Sequence, residues 1–579
     1  MGAIYGFSGA RDDKVLSKIG AVLSHRGPGP VVSEQTPRGS VAHRGGFDPQ
    51  PRHFATGGIH RDGERIIALA GFRFGDAGQS PARLLEDYVR EGIGFVRGLR
   101  GAFVAAIIDG DVVHLVRDAA GQRTIYYGMH EGRFYFAVEP KGVLAAPAFP
   151  RRIRPGAVAQ YLTFSFVPGA DTMLRDLKEV PAGHTVTFEP GKEPVVERYF
   201  VFENAPESNG SAPEHWVERF RSTFQSAVEE RLPRDEPVAV FLSGGLDSSI
   251  VTAEAARQYP GKLKTYAIHF GKQYAHELDF ARAVAERCGT DHEEVLIRPK
   301  QFLPRLRKMV WHLDEPIGDP ITTPNFELAA HVAQETRWAF NGEGGDPIFG
   351  GPKNIPMMMQ HWYGGIDRPA DFRERAYLAS YRRGYEEVSR LLAPEWRREI
   401  DEERDLTGVI RPFFDAAQPS RFLEKLLAIN IRLKGAHLIL PKVERMMGAW
   451  GLTPLSPLFD ERLIRLSFEM PGRMKLDRGI EKIVLKRAYE DLLPREIIDR
   501  PKSGMRVPVH FWFQGEMKRF ARKVLHKREI TRAGIFDPGR VKQLLDYDIE
   551  EGQGRYGLRI WMLLTFEIWR RIVVEGEGV

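Results

Sequence analysis

The hydrophobic pattern of the chain changes twice. Up to about Val201, short apolar runs of strand length are cut by Gly and Pro: Ile66–Phe72, Gly101–Ile108, Asp111–Val116, Thr124–Tyr127, Arg133–Val138 and Thr185–Phe188. Runs of this kind bounded by turn residues predict stacked antiparallel sheets with a few helices. The stretch Val201–Pro213 is polar and turn-forming, which places a domain boundary there, between residues 205 and 206. Beyond it, helical and strand-like segments take turns: Glu214–Glu230, Val238–Leu242, Ser249–Gln258, Leu263–Phe270, Leu278–Cys288 and Arg337–Asn341. That alternation predicts a doubly wound parallel sheet. After about Lys353 the pattern is nearly all helical, and no repeat or low-complexity tract interrupts it. The expected architecture is an α+β domain over residues 1–205 and an α/β domain with a large helical part over residues 206–579.

Composition narrows the class. A chain of 579 residues has room for two or more domains with sizeable cores. With 42% hydrophobic and 28% charged residues it reads as an ordinary globular protein. A net charge of +6 spread over this length gives no argument for nucleic acid as a partner. The single cysteine, Cys288, excludes an internal disulfide framework and any cysteine-cluster metal site. It sits among apolar positions at helical spacing and reads as core. The first thirty residues carry Arg11, Asp12, Asp13, Lys14 and Lys18 without a long apolar run, so no signal peptide is expected. No stretch approaches the roughly 20 apolar residues of a membrane span. A cytoplasmic location without membrane partners is the expectation.

The densest chemistry lies at Ser243-Gly244-Gly245-Leu246-Asp247-Ser248-Ser249, directly behind the strand-like Val238–Leu242 and ahead of a helix. Backbone N–H groups, hydroxyls and a helix N-terminus gather around a space that suits nucleotide phosphates. The Asp247 carboxylate repels phosphate unless a divalent cation lies between them, so Mg²⁺ is implied. No lysine follows the glycines, which sets the loop apart from G-x-x-x-x-G-K-[ST]. It resembles the signature of the pyrophosphatase-loop ATPases, which cleave ATP between the α and β phosphates.

A second glycine loop, Asn341-Gly342-Glu343-Gly344-Gly345-Asp346, follows another strand-like run. Asp346 suits Mg²⁺ together with Asp247, and Glu343 suits a base that takes a proton from an attacking amine. Between the two loops lies the acidic turn Asp314-Glu315-Pro316-Ile317-Gly318-Asp319-Pro320. Downstream, Lys482, Lys486 and Arg487 stand at helical spacing, as cations facing charge on a leaving pyrophosphate would.

Taken in order, these pieces resemble the synthetase domain of asparagine synthetases. The matching segments are Ser243–Ser249, Glu277 with Leu278–Ala285, Gly289–Val295, Asp314–Pro320, Gly342–Gly351, Pro457–Asp460, Glu481–Arg487 and Arg500–Gly504. The first half resembles the family's glutaminase domain at His25–Pro28, Leu99–Ala106, Val116–Asp118 and Tyr126–Lys141. The resemblance implies an Ntn-hydrolase-like first domain, ATP and Mg²⁺ as cofactors, and a phosphate site built from Ser243, Gly244, Gly245, Ser248 and Ser249. It further implies metal binding by Asp247 and Asp346, a backbone contact of Ile268 with adenine, a place for Gly342 beside the nucleotide, and Lys482 and Glu343 as catalytic residues. The family often dimerises; a homodimer is open for this chain.

The departures from the family carry the functional expectation. Glutamine-dependent members place a cysteine where this chain has Gly2, and glycine offers no side chain to attack an amide. The family's Asn-Gly-Glu segment reads here Ala70-Gly71-Phe72, and the segment that binds glutamine has no counterpart around Gly78–Arg83. The first domain is therefore expected to be a scaffold. In the second, a family Glu and Arg are replaced by Thr453 and Leu455, which argues against aspartate as substrate. β-Lactam synthetases and lasso-peptide macrolactam cyclases also lack the cysteine; they adenylate a carboxylate that an amine of the same molecule then attacks. β-Lactam synthetases carry a Tyr near the position of Glu343, so their ring-closing detail does not carry over. Three readings follow: an amide synthetase acting on a small-molecule or peptide carboxylate with an amine from a source other than glutamine, an ammonia-dependent amidating enzyme, and a non-catalytic nucleotide-binding subunit.

Overall fold

Two ten-residue strands, Arg65–Phe74 and Arg100–Asp109, show how the first half folds. Their side chains alternate between two cores. Ile66, Ala68, Val104, Ala106 and Ile108 face a second sheet, whereas Ile67, Leu69, Phe103 and Ile107 face the helix Pro81–Glu91. Period-two burial on both faces is what a sheet between two layers requires. The structure, a computed structural model, describes residues 2–46, 54–75, 80–204, 212–233, 236–274, 276–363, 369–381, 388–501, 504–547 and 556–579. The expected boundary at 205/206 lies outside the described residues, as do Lys502 and Ser503.

The strands of the first half are β1 (Ala3–Ser8), β2 (Val31–Thr36), β3 (Gly39–Arg44), β4 (Phe54–Asp62), β5 (Arg65–Phe74), β6 (Arg100–Asp109), β7 (Val112–Arg117), β8 (Tyr126–His130), β9 (Arg133–Ala137), β10 (Lys178–Glu179), β11 (His184–Phe188) and β12 (Val195–Arg198). They form two six-stranded antiparallel sheets, ordered β10-β8-β9-β1-β3-β2 and β12-β11-β7-β6-β5-β4, packed face to face. The expectation of stacked antiparallel sheets holds. Strand β1 escapes the alternating pattern because it is central: its six residues are all buried, covered on the far side by the helix Asp13–Val22, against which Pro140–Leu144 packs.

The second half is built on β13 (Val238–Phe241), β14 (Lys264–His269), β15 (Asp291–Leu296), β16 (Trp338–Phe340) and β17 (Thr453–Leu455). These form one parallel sheet of order β15-β14-β13-β16-β17. Helices α1 (Leu246–Gln258) and α2 (Leu278–Cys288) cover the face that carries Val238, Val240 and Ala267. Helices α3 (Thr322–Val332) and α4 (Leu440–Gly448) pack together on the other face, with Ala239, Tyr266 and Ile268. The doubly wound expectation holds, with two additions: β15, whose polar Asp291–Glu294 gives no apolar run, lies at one edge of the sheet beside β14, and β17 lies at the other. Strand β17 lies in the region expected to be helical; it pairs only with β16, and its Pro454 is compatible with that edge position. The strand order turns at β13, with β14 on one side and β16 on the other. A crevice opens there at the carboxyl ends, where ligands bind in such sheets. Among the described residues no helix is long and apolar enough to cross a membrane.

Candidate active site

The chain leaves β13 into the loop at that crevice, and the loop's own hydroxyls hold its shape. Gly244 takes a φ of +76° to make the turn. Ser248 Oγ accepts from the Ser243 N–H at 3.1 Å, donates to the Gly245 carbonyl at 3.1 Å, and lies 3.0 Å from Ser243 Oγ. Ser243 Oγ in turn accepts from the Gly245 N–H at 3.3 Å. Gly245 is the N-cap of α1, so the positive end of the helix faces the crevice. Of the expected phosphate ligands, Ser243, Gly245 and Ser248 border the cavity, as does Asp247, the expected metal ligand. Gly244 and Ser249 do not. Gly244 backs onto Phe280 and Ala281, and Ser249 is fully buried with its hydroxyl on the Gly245 carbonyl at 2.8 Å.

The second loop, after β16, locks into the first through glycines. A Cβ on Gly342 would stand 2.5 Å from Ser248 N, and one on Gly345 would stand 2.1 Å from Asp247 Oδ1. Lys482 closes the site from a distant part of the sequence. Its ammonium, 2% exposed as a side chain, lies 2.6 Å from Asp247 Oδ2 and 2.5 Å from Asp346 Oδ1. The lysine adopts φ +56°, and its N–H donates to the Lys475 carbonyl at 2.6 Å. Lys482 precedes the helix Ile483–Tyr489 as its N-cap, and Lys486, on that helix, also borders the cavity. Arg487 does not join them; it pairs with Glu214 at 2.9 Å on the outer surface.

Asp247 and Asp346 thus converge on one cationic point beside the loop. Among the described residues no cluster of three or more His, Cys, Asp and Glu offers a closed metal cage. Two carboxylates next to a phosphate-shaped loop suit a hard cation that arrives with phosphate oxygens as its other ligands.

The cavity itself measures about 290 Å³. Leu242, Ile268 and, on the second loop, Gly342 and Glu343 border it. Its charged side chains are paired with one exception: Asp247 with Lys482, Glu277 with Arg500, and Glu481 with Lys486 at 3.7 Å. Glu343 has no ion-pair partner within contact distance among the described residues. Lys442, buried nearby, donates to Asp319 Oδ2 at 3.2 Å. Burial presses the Lys442 pKa down, but Asp319 and Glu343 more than offset this and raise it.

Sequence reasoning missed the far wall. Ile321, Asn325 and Leu328 at α3 and Val443, Met446 and Met447 on α4 line it, an apolar surface interrupted by one amide. Nothing in their pattern separates these residues from core positions; only the packing of α3 on α4 exposes them to a cavity. Thr453 and Leu455 are absent from this lining. Leu455 is buried in the core on the α1 face, and Thr453 lies at the opposite end of β17. The lining opposite the two loops is therefore supplied by α3 and α4, and those two positions take no part in it.

A second cavity, about 250 Å³, lies against Gly2, Gly71 and His43, with Trp338 and Thr453 from the starts of β16 and β17 on its far side. Gly2 has φ +76°, and a Cβ there would meet the Arg44 carbonyl at 3.0 Å. Gly71, at φ +102°, presses so closely on β6 that a Cβ would lie 2.1 Å from the Ala102 carbonyl. Burial drives the His43 imidazole down to about 4, so it is neutral at pH 7. Restoring a cysteine should not restore glutamine hydrolysis. A Gly2→Cys variant with the cysteine as its processed N-terminus is expected to release glutamate from glutamine at less than twice the wild-type rate. The cost of a side chain in the left-handed region is about 1–2 kcal/mol, and no amide stands at Ala70 to stabilise an oxyanion.

Residues 219–571 match the family model described as asparagine synthase, and residues 79–200 match the model described as a glutamine amidotransferase domain. The chain is 27% identical over 505 residues to glutamine-hydrolyzing asparagine synthetase 1 of Bacillus subtilis, covering 82% of this chain and 78% of that protein. It is 26% identical over 536 residues to a putative glutamine-hydrolyzing asparagine synthetase of Mycobacterium bovis, covering 86% and 80%. Amidase chry2 of Gibberella zeae is 23% identical over 590 residues, covering 90% of this chain and 87% of its own length.

Proposed function

The chain belongs to the asparagine synthase family, and from that premise we propose that it is an ATP-dependent carbon–nitrogen ligase whose amine does not come from glutamine. In this reading a carboxylate oxygen attacks the α-phosphorus of ATP, the α–β phosphoanhydride bond breaks, and pyrophosphate leaves. An amine nitrogen then attacks the acyl carbon and AMP departs; where the amine belongs to the same molecule, the product is a lactam or macrolactam. Mg²⁺ held by Asp247 and Asp346 would supply charge neutralisation to the triphosphate. The loop Ser243–Ser248 and the α1 N-terminus cradle the phosphates, and Lys482 stabilises charge as the bonds to phosphorus and then to the acyl carbon rearrange.

The observation that carries the reading is Glu343. It is the cavity's one charged side chain without an ion-pair partner among the described residues, and it stands beside the loop that holds the phosphates. A carboxylate so placed attracts an ammonium group and accepts the proton released when the amine attacks. Gly2 supports the other half of the reading, since that position has no nucleophile with which to take ammonia from glutamine.

The test is AMP and pyrophosphate release across amino-bearing carboxylic acids and peptides, with and without ammonium. Release without ammonium, unaffected by glutamine, is the expected result. Release that requires ammonium, or silence with every acid, overturns it. With the active acid, Glu343→Gln is expected to keep ATP–pyrophosphate exchange within about fivefold while amide formation falls by about 10²-fold or more.

A further inference from the structure

Helix α4 has two faces with different neighbours. A helix turns by about 100° per residue, so Val443, Met446 and Met447 share one face and Glu444 and Arg445 share the opposite one. The first face is cavity wall. The second is embedded in the N-terminal domain, where Arg26 Nη2 meets Glu444 Oε1 at 2.7 Å and Arg445 Nη1 lies 3.2 Å from Glu139 Oε1. Arg26 also reaches Glu139 at 3.1 Å, and Thr124 Oγ1 donates to Glu444 Oε2 at 3.2 Å. The side chains of Arg26, Glu139, Glu444 and Arg445 are each 1% exposed.

The same guanidinium is tied to the other cavity. Arg26 Nε donates to the Gly2 carbonyl at 3.2 Å, and the Gly2 N–H donates to the Arg26 carbonyl at 3.1 Å. One buried side chain therefore links Gly2, which lines the glutaminase-like cavity, to the helix that lines the synthetase cavity. The density of these contacts matters because buried charges hold one geometry: a partner that shifts leaves its counterpart desolvated and unpaired.

We propose that Arg26 is a positioning residue for the synthetase site: through Glu444 it fixes the register of α4, and with it the apolar wall against which the acyl group lies. The N-terminal domain is then a working part of acyl recognition even with a glycine at position 2. The role given to the wall rests on the proposed function; the hold of Arg26 on α4 does not.

Hydrogen exchange on the full chain separates the two. In Arg26→Met, amide exchange in 440–448 is expected to accelerate at least tenfold while 243–249 stays within twofold and the Kd for Mg·ATP within threefold. Glu444→Gln keeps a hydrogen-bonding group in place and should give a smaller acceleration confined to the same segment. The double variant Arg26→Met with Glu444→Met removes both buried charges, so a folding defect caused by an unpaired charge is relieved while the polar tie stays broken. Its exchange at 440–448 should remain fast. With a carboxylate that supports pyrophosphate release, Arg26→Met should raise KM for that acid at least tenfold, with kcat within threefold. Exchange at 440–448 that is unchanged, or that rises equally in both segments in all three variants, overturns the proposal. A positive exchange result with no active carboxylate counts against the proposed reaction and leaves the positioning role standing.

Discussion

Replacing Lys482 with alanine is expected to lower pyrophosphate release from Mg·ATP by about 10²- to 10³-fold, the scale seen when a preorganised charge stabiliser is removed. Everything around this side chain serves to hold it in place. Its ammonium lies between two carboxylates, within 2.6 Å of Asp247 and 2.5 Å of Asp346. Its backbone sits in the left-handed region at φ +56°, a conformation that costs a non-glycine residue about 1–3 kcal/mol and persists where the surroundings demand it. The hydrogen bond from its N–H to the Lys475 carbonyl is one such demand. Lys475 is itself buried, with its ammonium on Glu424 at 2.6 Å and on the Ser467 carbonyl at 2.5 Å. A conservative change should fare almost as badly. Lys482→Arg keeps the charge but puts a planar fork where a compact ammonium reaches two carboxylates, so a loss of at least about tenfold is expected. If Lys482→Ala retained near-wild-type pyrophosphate release, the lysine would be an ion-pair partner of Asp247 and nothing more.

The parts of this site that were legible in the sequence are those whose chemistry is local. Ser243 through Ser249 form a turn and a helix start from their own hydroxyls and glycines, so a seven-residue pattern was enough to locate them. The same is true of β13, β14 and β16, which announce themselves as short apolar runs between helical periods, whereas the polar β15 does not. What the sequence did not disclose depends on partners far away in the chain. Strand β17 is three residues with a central proline and becomes a strand only by pairing with β16. Arg487 and Lys486 are neighbours on one short helix, yet one pairs with Glu214 on the surface and the other borders the cavity. The buried group of Arg26, Glu139, Glu444 and Arg445 joins residues up to 418 positions apart. Each of these charged residues alone reads as solvated surface; only the packing of the two halves makes them interior. The apolar cavity wall was hidden for the converse reason, because Val443, Met446 and Met447 are chemically indistinguishable from core.

Gly342→Ala is expected to weaken Mg·ATP binding by at least about tenfold, through one methyl group, and the reason is where that methyl must go. Its Cβ would lie 2.5 Å from Ser248 N, 2.6 Å from Ser248 Cα and 2.9 Å from Asp247 C. All three are backbone atoms at the start of α1, so no side chain can rotate away to make room. The second loop and the helix start must separate instead, by several tenths of an ångström. That displacement moves Ser248, whose hydroxyl ties the loop together at 3.1 Å from both Ser243 N and the Gly245 carbonyl. Misplacing a reacting geometry by about 1 Å costs on the order of 10²-fold, so turnover should fall further than affinity does. Two other glycines provide the comparison. At Gly245, on the nucleotide loop itself, a Cβ would touch only Ser243 Oγ at 3.4 Å, an ordinary contact, so Gly245→Ala should cost less affinity than Gly342→Ala. At Gly94 a Cβ meets nothing within 4 Å, and Gly94→Ala should leave binding unchanged. Calorimetric titration of the three variants with Mg·ATP reads the order directly. Equal affinities for Gly342→Ala and Gly94→Ala would mean that the two loops are not sterically coupled, and that the nucleotide loop keeps its shape without the second loop against it.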